Sequence, residues 1–228
     1  MTGTHARKLL DENLSTIQDG ILRMGSMVEE QIKRAVHVLK ERDVNMARQV
    51  VEADDRVDQL RYRLEAECLR TIATQQPAAR DLRRIIAAMH MAVEMERMAD
   101  HATGIAEITI RMGGEPHIKP LIDIPRMQEV VVEMLNGVLD AYVKTDVALA
   151  QAVAKRDDEM DALYNQILRE LLTYMMADSK IVSRATYLLW VAHNLERIGD
   201  RVTNLCERVI FTATGELSDI QDSTAVGG

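Results

Sequence analysis

The chain has 228 residues, 47% hydrophobic but only 3% aromatic, and carries a formal net charge of −8. That length buries a sizeable core, here one of Leu, Ile, Val, Ala and Met, and the acidity excludes a direct grip on nucleic acid, whose phosphates call for basic patches. Cys68 and Cys206 stand far apart in no C-x-x-C arrangement and read as buried free thiols of a reducing compartment; with no apolar stretch at the N-terminus for a signal peptide and only a short apolar run, 187–192, near the other end, the chain is expected to be cytoplasmic, without membrane insertion.

The first helix is expected from about His5 to Lys40, with Leu10, Leu14, Ile17, Ile21, Met24, Val28, Ile32, Ala35 and Leu39 at three- and four-residue steps. Asp43 is placed to cap the second helix, which carries Val50, Val57, Leu60, Leu64 and Cys68. Pro77 fits the first turn of a third helix running to about Met112. Gly113, Gly114, Pro116, Pro120 and Pro125 then mark a boundary, with a linker over 116–124. The plan repeats: Pro125 opens a fourth helix, Asp146 caps a fifth, and Asp178-Ser179 caps a sixth that ends near Gly215. Residues 216–228 are small, polar and aperiodic and are expected to fray. Long helices with short connections make antiparallel bundles. The expectation is therefore an all-α tandem repeat of two three-helix bundles, over 1–115 and 125–215, the first helix carrying an extension of about residues 4–21.

Four acidic pairs share one helical spacing: Asp54 with Asp58, Glu96 with Asp100, Asp157 with Asp161, and Glu196 with Asp200. Residues four apart lie on one helix face, where like charges destabilise. An internal duplication accounts for the matching. A shift of 103 carries Met24 to Met127, Asp43 to Asp146 and Asp54 to Asp157; from Glu96 onward the shift is 100, so the second copy lacks three residues near Gln75-Gln76-Pro77. A repeat of this length is a duplicated domain, not a solenoid unit of roughly 20–50 residues.

Hairpin register brings the pairs to one level. The first two centre on positions 56 and 98, whose midpoint is Pro77; the other two centre on 159 and 198, whose midpoint falls between Asp178 and Ser179. Each midpoint is an expected turn, so each half sets four carboxylates at the same height of one hairpin. Clustered oxygen donors with few imidazoles suit hard or borderline cations such as magnesium, manganese or iron. The competing explanation is that Arg56, Arg61, Arg97, Arg156 and Arg197 balance exposed pairs. Recurrence of two pairs per hairpin, twice over, favours metal.

Other features carry less. Glu107 and Glu207 lie seven residues beyond Asp100 and Asp200 and return to the same face, as outer ligands or solvated charges. His90, His101 and His193 have no counterparts in the other half and read as structural. Asp81 complements a helix dipole, and Met89, Met91, Met95 and Met98 read as core. Gly113-Gly114 follows a helix instead of opening one, unlike a phosphate-cradling turn.

Taken together, these residues resemble the PhoU family of phosphate-signalling regulators over roughly 5–215. The likeness rests on His5, Met24-Gly25, Asp54…Asp58, Gln76-Pro77, Asp81-Leu82-Arg83, Glu96-Arg97-Met98-Ala99-Asp100 and Leu195-Glu196-Arg197-Ile198-Gly199-Asp200, followed by Thr203-Asn204 and Glu207. It implies tandem three-helix bundles whose acidic motifs hold metal clusters, with iron, zinc, manganese or magnesium bound by Asp54, Asp58, Glu96 and Asp100 and by Asp157, Asp161, Glu196 and Asp200. Glu107, Asn204 and Glu207 would be outer ligands. It further implies a homodimer that restrains high-affinity phosphate uptake and silences the phosphate-starvation (Pho) regulon, through the transporter ATPase subunit PstB and the sensor kinase PhoR. Two departures, Ala99 where the family has Gly and Lys180-Ile181-Val182 where the first half has Asp81-Leu82-Arg83, imply unequal sites.

Two other classes compete. A carboxylate-bridged di-metal enzyme would supply Glu-x-x-His motifs, but residue 99 is Ala and 199 is Gly. A purely structural helical adaptor would bind no metal. No nucleophile–base set stands out, so the chain reads as a non-enzyme.

Overall fold

The computed structural model describes residues 2–216. In chain order the helices are α1 (Thr2–Glu41), α2 (Val44–Glu52), α3 (Asp55–Gln75), α4 (Ala79–Met112), α5 (Asp123–Lys144), α6 (Val147–Ala154), α7 (Asp157–Ala177) and α8 (Val182–Thr214), with a 3₁₀ turn at Ser179–Ile181 before the last. No strand occurs among the described residues. The tail expected to fray lies, from residue 217 on, outside them.

The caps fall where side-chain chemistry put them. Asp43 accepts a 2.9 Å hydrogen bond from the Met46 amide and Asp146 one of 3.0 Å from the Leu149 amide, each satisfying a donor that a helix start leaves free. Three expectations need correction. Pro77 lies in the turn ahead of α4, between a left-handed Gln76 (φ 46°) and an extended Ala78. Asp178 caps the 3₁₀ turn, accepting from the Lys180 amide, and α8 starts only afterwards. The middle helix of each bundle is jointed, α2 to α3 and α6 to α7. At the joints the bonding tightens to three-residue steps: Asp54 N to Val51 O (3.3 Å) and Val57 N to Asp54 O (2.8 Å) in one half, Arg156 N to Val153 O and Glu159 N to Arg156 O (both 3.0 Å) in the other.

The three-residue deficit is visible as well. Residues 76–78 separate α3 from α4, whereas only Asp178 separates α7 from the 3₁₀ turn at Ser179, the counterpart of Ala79, and α7 stops at Ala177, the counterpart of Thr74, one residue short of where α3 ends. Helices α1, α4, α5 and α8 bury a single core that spans both halves, filled by Met24, Met91, Met95, Met98, Met127 and Met134 in place of aromatics. Cys68 and Cys206 are buried in it as free thiols, pushed up to about 12 by burial. The extension of α1 is tied down at Asp81, whose buried carboxylate takes a 2.6 Å bond from Arg7.

Helices α4 and α8 cross antiparallel along the seam between halves. Glu94 there accepts from Arg201 (3.3 Å) and Asn204 (3.0 Å). The pseudo-equivalent residues, shifted by 100, are Asn194, His101 and Gly104. His101 Nδ1 lies 3.0 Å from Asn194 Oδ1, and burial lowers its pKa, so the neutral ring donates. One end of the seam is charged and the other neutral.

Candidate metal centres

In each half the joint, the hairpin and the helix periodicity act together. The joint sets Asp54 at the N-cap of α3 and starts α7 at Asp157, so the first acid pair occupies an opening turn, where the helix dipole favours negative charge. Four residues on, Asp58 and Asp161 face the same way. Across the hairpin, Glu96 and Asp100 of α4 turn toward α3, while the buried Met98 and Ala99 between them face the core. Glu196 and Asp200 of α8 repeat the arrangement around Ile198 and Gly199.

The carboxylates of each half lie near enough to raise one another's pKa. Burial first, then Asp100 and Asp58, holds Glu96 above the ordinary glutamate range. Asp100 is raised by burial and by Asp54 and Asp58. In the second half Asp161 and Glu196 are raised by burial and then by Asp200. Asp157 is pushed up to about 7 by burial, reinforced by Asp200, Asp161 and Glu196. Like charges confined at low dielectric raise one another in this way unless a cation relieves them.

Of the five arginines that would balance the motifs, two touch a motif carboxylate. Arg61 Nε is 3.7 Å from Glu96, and Arg197 is 2.7 Å from Asp200. Arg156 turns away to Glu133 and Glu159. Glu196 Oε2 is buried without a hydrogen-bond partner, 3.2 Å from His193 Nδ1. As they stand, no three Asp, Glu, His or Cys side chains among the described residues are grouped closely enough to hold an ion. Yet the donor set fits a hard cation: four oxygen-bearing side chains at one level per half, most of them raised by burial and then by their neighbours, and one buried oxygen without a hydrogen bond. Ligation would require rotation of Asp200 off Arg197 and of Glu96 off Arg61.

The outer positions behave differently from one another. Glu107 is exposed, 3.9 Å from Arg111, while Glu207 lies 3.6 Å from Arg208 with its side chain 11% exposed. Asn204 is committed across the seam to Glu94.

The two centres also differ, through Gln31, which sequence reasoning passed over, and through Gly199, which stands where the first half has Ala99. In the first half the buried Gln31 amide donates to Asp54 Oδ1 and Thr103 Oγ1, both at 2.7 Å, and lies 3.3 Å from Ala99 O. Its counterpart in the second half is Met134, which donates nothing. There Asp157 instead lies against the α8 backbone at Gly199, where a Cβ would stand 2.9 Å from its Oδ1. A position-by-position comparison of the halves would have exposed Gln31, a polar residue in an otherwise apolar row.

Comparison with known proteins agrees with this duplicated plan. The model of the PhoU domain matches twice, over 21–109 and 124–209. The chain is 40% identical over 217 residues to a phosphate-specific transport system accessory protein PhoU homolog of Clostridium acetobutylicum, covering 95% of this chain and 99% of that protein. It is 41% identical over 212 residues to the same-named homolog of Zymomonas mobilis, covering 93% and 90%. Its fold is similar to the crystal structure of PhoU from Pseudomonas aeruginosa, with a TM-score of 0.85 and 36% identity over 90% of this chain and 99% of that one. It is also similar to the phosphate transport system regulatory protein PhoU of Streptococcus pneumoniae, with a TM-score of 0.86 and 28% identity over 92% and 99%.

Proposed function

The chain belongs to the PhoU family, and on that premise we propose that it is an accessory protein of phosphate-specific transport that restrains uptake and starvation signalling when phosphate is plentiful. The observation that carries this reading is the end-to-end likeness to named accessory proteins, across both repeats and nearly the full length of each chain. The relatives carry accessory names, not enzyme names, in keeping with a protein that works by contact. Its targets are the cytoplasmic partners that the family resemblance implies, the transporter's ATPase subunit and a sensor kinase, each held in an inactive state by a docked homodimer. No helix among the described residues is long and apolar enough to cross a membrane, in keeping with a chain that reaches the transporter through its ATPase.

Metal belongs to the same proposal. Asp54, Asp58, Glu96 and Asp100 would hold one centre and Asp157, Asp161, Glu196 and Asp200 the other, with iron, zinc, manganese or magnesium neutralising the repulsion between α3 and α4 and between α7 and α8. The bound ions would brace each hairpin and so fix the outer faces that partners read. Deleting the gene in a cell without a second copy should raise phosphate uptake and starvation-reporter output in phosphate-rich medium, and the intact chain should reverse both. Unchanged uptake and reporter output in the deletion strain would defeat the proposal.

A further inference from the structure

The duplication supplies an internal control for a surface that the metal centres do not use. A groove of about 350 Å³ runs between α1 and α3, lined by Arg23, Met27, Arg56, Gln59, Leu60 and Arg63. Shifting by 103 gives Arg126 and Glu159 in place of Arg23 and Arg56, and Gln166 in place of Arg63. In the second half Arg126 and Glu159 close a 2.8 Å ion pair, and Arg156 joins Glu159 to Glu133. The first half lacks that closure: Arg56 stands where the second half has Glu159, and Ala53 where it has Arg156. Arg23, Arg56 and Arg63 make no ion pair among the described residues, and no carboxylate lines the groove between them. A chain of net charge −8 thus keeps three arginines on one groove. Recesses continue it at both ends, toward Asp19 and Glu67 on one side and toward Arg34 and Glu30 on the other.

We infer that this groove docks an acidic, partly apolar helical segment of a protein partner. Exposed arginines offer carboxylates forked, charge-assisted hydrogen bonds, while the Met27 and Leu60 floor takes apolar side chains at helical spacing. The floor favours a peptide over a free oxyanion, which has no use for an apolar surface. In the second half the equivalent arginine, Arg126, is already paired with Glu159, so only the first of the two homologous faces keeps its arginines for a partner. The inference rests on the reading that this protein acts through protein contacts, but not on the metal centres.

The probe is a fluorescein-labelled amphipathic helix of leucine and glutamate, followed by anisotropy with the full chain. Arg56→Glu is the decisive variant, because it recreates opposite Arg23 the pair that the second half already holds, and so folds. It should weaken probe binding about tenfold or more. Arg169→Glu makes the same charge change on exposed α7, outside the groove, and should leave binding near wild type. Failure of the wild-type chain to bind, equal weakening by both variants, or displacement of the probe by equimolar inorganic phosphate would each overturn the assignment. The assay needs no transporter or kinase. A bound probe alongside a silent deletion strain would sink the regulatory reading alone, and an unbound probe alongside an active one would sink the groove alone.

Discussion

Replacing Asp157 by Asn removes the most strained charge of the second centre while keeping its shape. Burial and three facing carboxylates lift Asp157 from 3.8 to about 7. Each pK unit is worth about 1.4 kcal/mol, or about 4 kcal/mol in all for a fully enclosed group. Asp157 is half-buried, and solvent screening reduces this to about 1–2 kcal/mol. The sign follows from proton counting: between pH 3.8 and about 7 the folded chain holds a proton that the unfolded chain has released. Metal-free wild-type protein should therefore lose stability as pH rises through that window, and the full penalty should stand above it. Asp157→Asn has no such proton to lose. Urea unfolding in chelator at about pH 4.5 and about pH 8 should show the variant gaining about 1–2 kcal/mol on wild type at the higher pH only. A variant less stable than wild type at about pH 8, or two chains with the same pH slope, would refute the account of the site. With a binding cation present the order should reverse, because the carboxylate that destabilises the empty centre is the one that would ligate.

Glu196→Ala with Asp200→Ala should empty the second centre and leave the first filled, halving the metal content found by elemental analysis; wild-type stoichiometry would refute the ligand assignment. Gly199→Ala brings a Cβ to 2.9 Å from Asp157 Oδ1. Since that atom is the movable end of a side chain and helix propensity favours Ala by up to about 1 kcal/mol, stability should hold while cation affinity of the second centre alone falls in a metal titration. Gln31→Met, which copies Met134, should cost about 1–2 kcal/mol through the lost bonds to Thr103 and Ala99, read by urea unfolding. It should also free Asp54 and tighten the first centre toward a cation, which the same titration reports.

Hairpin register was legible because it depends only on where the turns fall, and residues 76–78 and 178–181 lie where the pair midpoints put them. The caps were legible because Asp43 and Asp146 act on amides three residues away. The joints were not. Val50 and Val57 continue one apolar row across the break, no Gly or Pro stands at residues 50–57, and the kink lies within helical dihedrals on either side of Asp54. Gln31 and Asp54, far apart in sequence, meet only through tertiary packing. Direction was equally hidden: periodicity gives the level of Arg56, Arg156 and Arg197 but not which neighbour each will choose, and only Arg197 chose a motif carboxylate.

The duplication decides how the two centres should influence each other. Their acidic faces look outward toward α3 and α7, but α4 and α8, which carry half of each ligand set, pack against one another along a single seam in one shared core. Closely packed interiors move as units, so an ion that draws α3 toward α4 at Glu96 acts on a helix already clamped to α8 two residues away, through Glu94, Arg201 and Asn204. On the second side the corresponding clamp is the neutral bond between Asn194 and His101. Truncating the charged clamp with Glu94→Ala leaves Arg201 buried against the seam without its carboxylate, a change that costs about 2–4 kcal/mol when the group is part-buried. If the seam transmits strain, filling the first centre in wild-type protein should change cation affinity at the second by a measurable factor, and Glu94→Ala should abolish that dependence while leaving both centres able to bind. An unchanged cation affinity at the second centre, whether the first is filled or empty, would show that the repeats share a core without sharing their occupancy.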